Sequence, residues 1–172
     1  TTEIYTLSLL VALPICFGNA ERIAEDKAHD RALLRIYGAR GLKLLNSACG
    51  AAKSALELTG IADPQNQAGG AAASSAKASV APVGSSSDLA VSPAPGLGFS
   101  GSAALDADGK FAGITLLKPL VVAGPANAAP AAQAALVSAD IVRDFLKANG
   151  VNAAGISTDA KASVVRVICV RK

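Results

Sequence analysis

The sequence contains no methionine and no tryptophan, one histidine and three cysteines, and aromatic residues fill only 3% of its 172 positions. Each scarcity removes something. The chain is 51% hydrophobic, but the apolar residues are mostly Ala, Val and Leu. Large rings bury the most area per residue, so a core without them gives modest stability for its length. No block of Lys or Arg stands out, and the net charge is only +3. Phosphate binding needs a clustered basic face, so no nucleic-acid partner is expected. Cys16, Cys49 and Cys169 show no metal-ligand spacing, and neither metal nor cofactor is expected. The odd count reads as buried or unpaired thiols, with a Cys16–Cys49 disulfide as the alternative in an oxidising compartment. A catalytic cysteine has no motif joining it to His29.

Long apolar runs are missing too. Residues 7–17 are nearly all apolar, but a helix needs about 20 residues to cross a bilayer, so no stable membrane span is expected. Gly18-Asn19-Ala20 loosely resembles a small-residue cleavage site, although Glu3 and no Lys or Arg precede it. Residues 7–17 read as buried strand, with a signal-peptide remnant as the alternative. Thr1 is not an initiator methionine, which leaves a trimmed Met, a piece of a longer protein and a processed product all open.

The rest of the chain has a coarse order. Residues 20–24 alternate weakly and run into a charged turn, Glu25 to Asp30. Ala32-Leu33-Leu34-Arg35-Ile36-Tyr37 reads as a strand. Residues 50–58 suit a short helix or a strand. Residues 68–88 are rich in Ala, Gly and Ser, which fits a linker or weak strands of small side chains. Ala103–Leu105 and Lys110–Leu117 flank Asp106-Ala107-Asp108-Gly109, a hairpin signal. Residues 119–135 read as a Pro/Ala-rich loop. Ser138 can cap a helix over 139–149 that presents Ile141, Val142, Phe145 and Leu146 on one face and stops at Gly150. Residues 151–161 look like a linker, and Val164–Val170 like a strand.

The stretch that names a reaction is Gly98-Phe99-Ser100-Gly101-Ser102. A serine among glycines suits acyl transfer, because a Gly-rich backbone can turn N–H groups toward a developing oxyanion while the hydroxyl faces substrate. A tight β-turn serine without chemistry is the alternative. Other readings fail on the residues. Position 102 is Ser, and the hairpin follows too soon for the helix behind a Gly-x-Ser-x-Gly elbow. Asp106 and Asp108 lack the spaced ligands and closing Glu of a calcium loop. Lys77, Lys110 and Lys118 have no motif that would make a Ser–Lys dyad.

In order and spacing, several segments resemble trypsin-like serine peptidases of the bacterial HtrA/Deg kind. Asp30 before Arg31-Ala32-Leu33-Leu34-Arg35-Ile36 is similar to that family's triad-Asp segment, except that Arg31 stands where an aliphatic residue is usual. Leu56 to Pro64 is similar to the strand and loop that open the second barrel. Pro95 to Leu105 resembles the nucleophile loop, Lys110–Thr115 the strand after it, and Val137–Leu146 the closing helix. Ala162 to Val167 resembles the strand that opens the first barrel, and would pair with that barrel or begin another domain. The resemblance implies roles. Ser100 would be the nucleophile, the N–H groups of Gly98 and Ser100 the oxyanion hole, and Asp30 the residue that orients the imidazole. Ala94 would be the uncharged floor of the specificity pocket, favouring a small or apolar side chain. Phe99, Ser102 and Ala103 depart from the family's loop.

The larger departure is the base. A neutral hydroxyl needs one within hydrogen-bond reach, and the family's Ala-x-His motif is absent. His29 adjoins Asp30, and neighbours on extended chain point to opposite sides, so His29 reads as a turn residue. The expected fold is therefore all-β: a trypsin-like double Greek-key β-barrel with an incomplete first barrel and a short C-terminal helix. Its expected parts are 1–49, a partial first barrel; 50–149, the second barrel with nucleophile loop and closing helix; and 150–172, linker and strand. The expected function is peptide-bond hydrolysis by descent, on a peptide or protein substrate, with this chain inactive for want of the base. The alternative is a non-catalytic peptide-binding module. The resemblance favours a periplasmic or secreted location.

Overall fold

The computed structural model describes residues 20–37, 43, 45, 46, 55–62, 73–83, 89–118, 133–152, 155, 157, 159–165 and 167. Strand β1 (Ala20–Asp26) and strand β2 (Arg31–Ile36) form a two-stranded antiparallel hairpin. Six more strands close a barrel: β3 (Ala55–Ile61), β4 (Ala73–Pro82), β5 (Leu89–Ser92), β6 (Ala103–Leu105), β7 (Phe111–Lys118) and β8 (Gln133–Ser138). Around the barrel they run β3-β4-β5-β8-β7-β6, with every neighbouring pair antiparallel. β5 and β6 are consecutive in the chain but not neighbours in the sheet. The connection between them must cross an end of the barrel, and that crossing carries Ser100.

The barrel works with small residues because closure pairs every edge, so the ladder compensates for side chains of low volume. β4, Ala-Ser-Ser-Ala-Lys-Ala-Ser-Val-Ala-Pro, is a full strand registered against β3 from Ala73↔Ile61 to Ser79↔Ala55. Of the two readings of residues 68–88, strand is therefore the one that holds for 73–82. Residues 55–58 are strand rather than helix. Of the Pro/Ala loop expected over 119–135, Gln133-Ala134-Ala135 are instead the start of β8, and 119–132 lie outside the described residues. Three alanines and a glutamine carry little β-propensity. Pairing with β7 on one side and β5 on the other makes them strand.

Two apolar clusters form. Inside the barrel lie Leu56, Leu58, Val91, Phe99, Ala104, Ala112, Ala134 and Leu136. Outside it, Leu105, Phe111, Ile114, Leu116 and Val137 face helix α1 (Ala139–Ala148) and the hairpin's Leu33. Alternation assigns the two faces in β6, where Ala104 points in and Ala103 and Leu105 point out. In β7 a register shift skips Ala112 and lets Gly113 pair with Ser138. A β-carbon on Gly113 would lie 2.2 Å from the Val137 carbonyl oxygen, so this close approach needs glycine.

α1 starts after Ser138, as its sequence predicts, though the Ser138 side chain makes no capping hydrogen bond. It buries Ala139, Val142 and Leu146 and half-buries Ile141 and Phe145. Gly150 ends it in the left-handed region (φ 74°), where its N–H donates to Lys147 O at 3.0 Å and that of Val151 to Leu146 O at 2.9 Å. No helix among the described residues is long and apolar enough to cross a membrane.

Candidate active site

Ser100 follows a 3₁₀ turn over Leu97–Phe99, in which the Phe99 N–H donates to Gly96 O at 2.9 Å. The Phe99 ring is the anchor. It is 6% exposed and sits in the barrel core, where polar side chains would be costly. Gly98 presses against β3, and a β-carbon there would lie 1.8 Å from the Ile61 carbonyl oxygen. Beyond Ser100 the backbone turns through Gly101 (φ 80°) and joins β7: Gly101 N–H donates to Thr115 O at 2.7 Å, and Thr115 N–H to Ser102 O at 3.0 Å. Ser102 N–H closes the turn onto Phe99 O at 3.0 Å. Ser100 is thus half-buried at the tip of a tightly bonded loop, and among the described residues nothing hydrogen-bonds its hydroxyl. The two proposed oxyanion donors, Gly98 and Ser100, lie within and directly after the 3₁₀ turn. Ala94 is exposed on the approach to this turn.

The hairpin behind the loop forms at the expected place. The Asp106 carboxylate is buried, and its Oδ1 accepts from the N–H groups of Asp108 and Lys110, both at 2.9 Å. Gly109 (φ 72°) completes the turn. Ser102 and Thr115, whose backbones bond to each other, have buried hydroxyls without a partner among the described residues.

Asp30 ends the turn between β1 and β2, exposed and in the left-handed region (φ 47°), a conformation that Asp tolerates better than most residues. Its neighbour His29 does not bond to it. His29 Nδ1 lies 2.8 Å from Asp26 Oδ2, and the imidazole is 39% exposed. The same oxygen accepts from Arg31 Nε at 2.9 Å and Arg31 Nη2 at 2.7 Å. Burial alone would raise the Asp26 carboxyl. Hydrogen bonds from His29 and Arg31 and the charges on both outweigh that and hold it below the ordinary 3.8. Arg31, the basic residue at an aliphatic position, is itself buried, with its guanidinium 4.7 Å from the centre of the Phe145 ring of α1. Its Nη1 has no partner among the described residues.

The structure thus puts Ser100 and Gly98 on one loop and Asp30 on the hairpin turn. Among the described residues no hydrogen bond joins Asp30 or His29 to the Ser100 loop. What joins hairpin to barrel is apolar packing of Leu33 and the stacking of Arg31 on Phe145. The Asp26 knot was missed in the sequence. Its only signal was spacing, an acid three residues before the histidine and five before the arginine across a four-residue turn. Among the described residues no cluster of three His, Cys, Asp or Glu could hold a metal ion.

No family model and no curated protein matches the chain. Solved structures do. The MamO protease domain from Magnetospirillum magneticum, apo form, is similar with a TM-score of 0.53 at 18% identity, covering 74% of this chain and 67% of that one. An inactive mutant form of Rv3671c from M. tuberculosis is similar with a TM-score of 0.50 at 15% identity, covering 77% of this chain and 65% of that one. The chain spans about two thirds of the length of each. With its closed six-stranded barrel, second sheet and short helix, the chain has the trypsin-like serine protease fold.

Proposed function

We propose that this chain is a serine endopeptidase by descent and, as it stands, does not hydrolyse peptide bonds. One observation carries this reading: the single imidazole in the sequence is bonded to Asp26, in the turn between β1 and β2. Acyl transfer on Ser100 would need a base to take the Oγ proton as Oγ attacks the carbonyl carbon, then return it to the leaving amine. In this reading Ser100 holds the nucleophile position and the N–H groups of Gly98 and Ser100 the oxyanion-donor positions. Asp30 holds the position of the carboxylate that orients an imidazole, and Ala94 that of the floor of a pocket for a small or apolar side chain. Losing the base costs enzymes of this type on the order of 10⁶ in turnover. Incubation with a labelled protein substrate tests it. Cleavage that Ser100→Ala abolishes would overturn it.

A second observation favours a binding role for the same surface. Thr115 uses its N–H and C=O toward Ser102 and Gly101. Alternation turns the N–H and C=O of Leu117 toward the same side, and among the described residues β6 pairs with β7 no further than Ile114. An extended peptide can add to such an edge beside Ser100. Calorimetry with extended peptides, on the chain and on Ser100→Ala, tests this. Equal binding by both supports a non-catalytic peptide-binding module, and no binding by either refutes it.

A further inference from the structure

The sequence between α1 and the C-terminal Val-rich stretch reads as a linker, and a linker would bury nothing. Yet Ala160 is 4% and Ser163 5% exposed. A 3₁₀ turn over Ala160–Ala162 shapes this segment, with Asp159 Oδ1 accepting from Lys161 N–H at 3.1 Å and Ala162 N–H at 3.3 Å. Ser163 N–H then closes onto Ala160 O at 3.0 Å. The turn is therefore a preformed, capped unit rather than solvated coil.

Two hydrogen bonds fix it to chain more than a hundred residues earlier. Asn46 N–H donates to Ser157 O at 2.7 Å, within a parallel bridge between Leu45 and Ser157. The single proton of the Ser163 hydroxyl is shared between Lys43 O at 3.2 Å and Asp159 O of its own turn at 3.0 Å. On its other side the turn packs against β3 of the barrel. Ala160 joins the apolar cluster that holds Leu33 of the hairpin, Leu45, and Leu105, Phe111 and Ile114 of the barrel, and Val164 packs against that cluster. One short segment thus touches the barrel and the stretch that follows the hairpin, and shares an apolar cluster with the hairpin itself.

We infer that Ser157 and residues 159–165 belong to a strap that ties the hairpin bearing Asp30 to the barrel bearing Ser100. Apart from Leu33 in that cluster and Arg31 on the Phe145 ring, the described hairpin residues have no strand pairing with the barrel, and β1 is exposed along most of its length. The strap makes the hairpin's local stability depend on a segment remote in sequence. Releasing it frees the hairpin and leaves the barrel closed.

Hydrogen exchange on the full chain tests this, with Ala160→Asp placing a charge in the shared cluster. The β2 amides, Arg31 to Ile36, should exchange about tenfold faster, while those of β7 stay within about twofold. Ser163→Ala, which loses only the hydroxyl's bonds, provides a milder arm. It should raise β2 exchange in the same selective way by a smaller factor, and it decides the matter if Ala160→Asp fails to fold. Unchanged β2 exchange in the folded variants would overturn the strap. So would β2 and β7 accelerating by equal factors.

Discussion

Replacing Asp26 by alanine is the sharpest perturbation of the hairpin. Its Oδ2 accepts from His29 Nδ1 at 2.8 Å, Arg31 Nε at 2.9 Å and Arg31 Nη2 at 2.7 Å, and its Oδ1 from Ala28 N–H at 3.1 Å. The Arg31 side chain is only 8% exposed and that of Asp26 19%. Stripping a buried cation of its anion costs about 3–5 kcal/mol, and residual water access at Asp26 places this pair at the lower end, about 3 kcal/mol. Replacing Arg31 by methionine as well removes the stranded charge and keeps apolar contact with Phe145. Urea unfolding of the wild type, Asp26→Ala, Arg31→Met and the double variant closes a cycle with an expected coupling of about 2 kcal/mol. The pH dependence has a definite sign. The folded-state pKa of Asp26 lies below 3.8, so its contribution is complete above that value and is lost as pH falls through the lower folded value. The coupling should therefore shrink in acid. A cost for Asp26→Ala below about 0.5 kcal/mol, or an equal cost with Arg31→Met in place, would refute the reasoning.

Three further outcomes follow from the loop and its hairpin. Phe99→Ala removes the ring that anchors the Ser100 loop in the barrel core and should cost about 3–5 kcal/mol by urea unfolding. Gly98→Ala sets a β-carbon 1.8 Å from the Ile61 carbonyl oxygen, so backbone must move; a loss of about 1–3 kcal/mol with shifted Ser100 amide resonances is expected. Asp106→Ala orphans the amides of Asp108 and Lys110 and should lower stability by about 1–3 kcal/mol in a thermal melt, with spectral changes confined to the β6–β7 turn.

The parts of this fold legible in the sequence are those where local chemistry and tertiary context agree. Asp106 to Gly109 demands a turn, and the apolar runs on either side became β6 and β7. Ser138 to Gly150 carries a helix and its stop. The Ser100 loop was legible as glycine-framed serine, and its Phe99 as a departure, but only the barrel explains Phe99 as a buried anchor. Illegible parts are those whose partners are distant. Gln133-Ala134-Ala135 has the composition of a loop and becomes strand because β5 and β7 flank it. Residues 151–161 have the composition of a linker, yet Ser157 bonds to Asn46 and the turn over Ala160–Ala162 leads to Ser163 beside Lys43 O. Arg31 stands where the resemblance has an aliphatic residue, and it is buried because Asp26 neutralises it and it stacks on Phe145. Val164, Val165 and Val167, within the expected C-terminal strand, are not in a sheet; the rest of 164–170, the three cysteines and residues 1–19 lie outside the described residues.

In the proposed function, Ser100 has the setting of a nucleophile but no base in this chain to activate it. Reaction of the chain with a fluorophosphonate, read by intact-mass spectrometry beside Ser100→Ala, measures this directly. No adduct above that of the alanine variant is expected, because an unassisted serine hydroxyl reacts slower by several orders of magnitude. A stoichiometric adduct on Ser100, formed at the rate of an active peptidase, would contradict it.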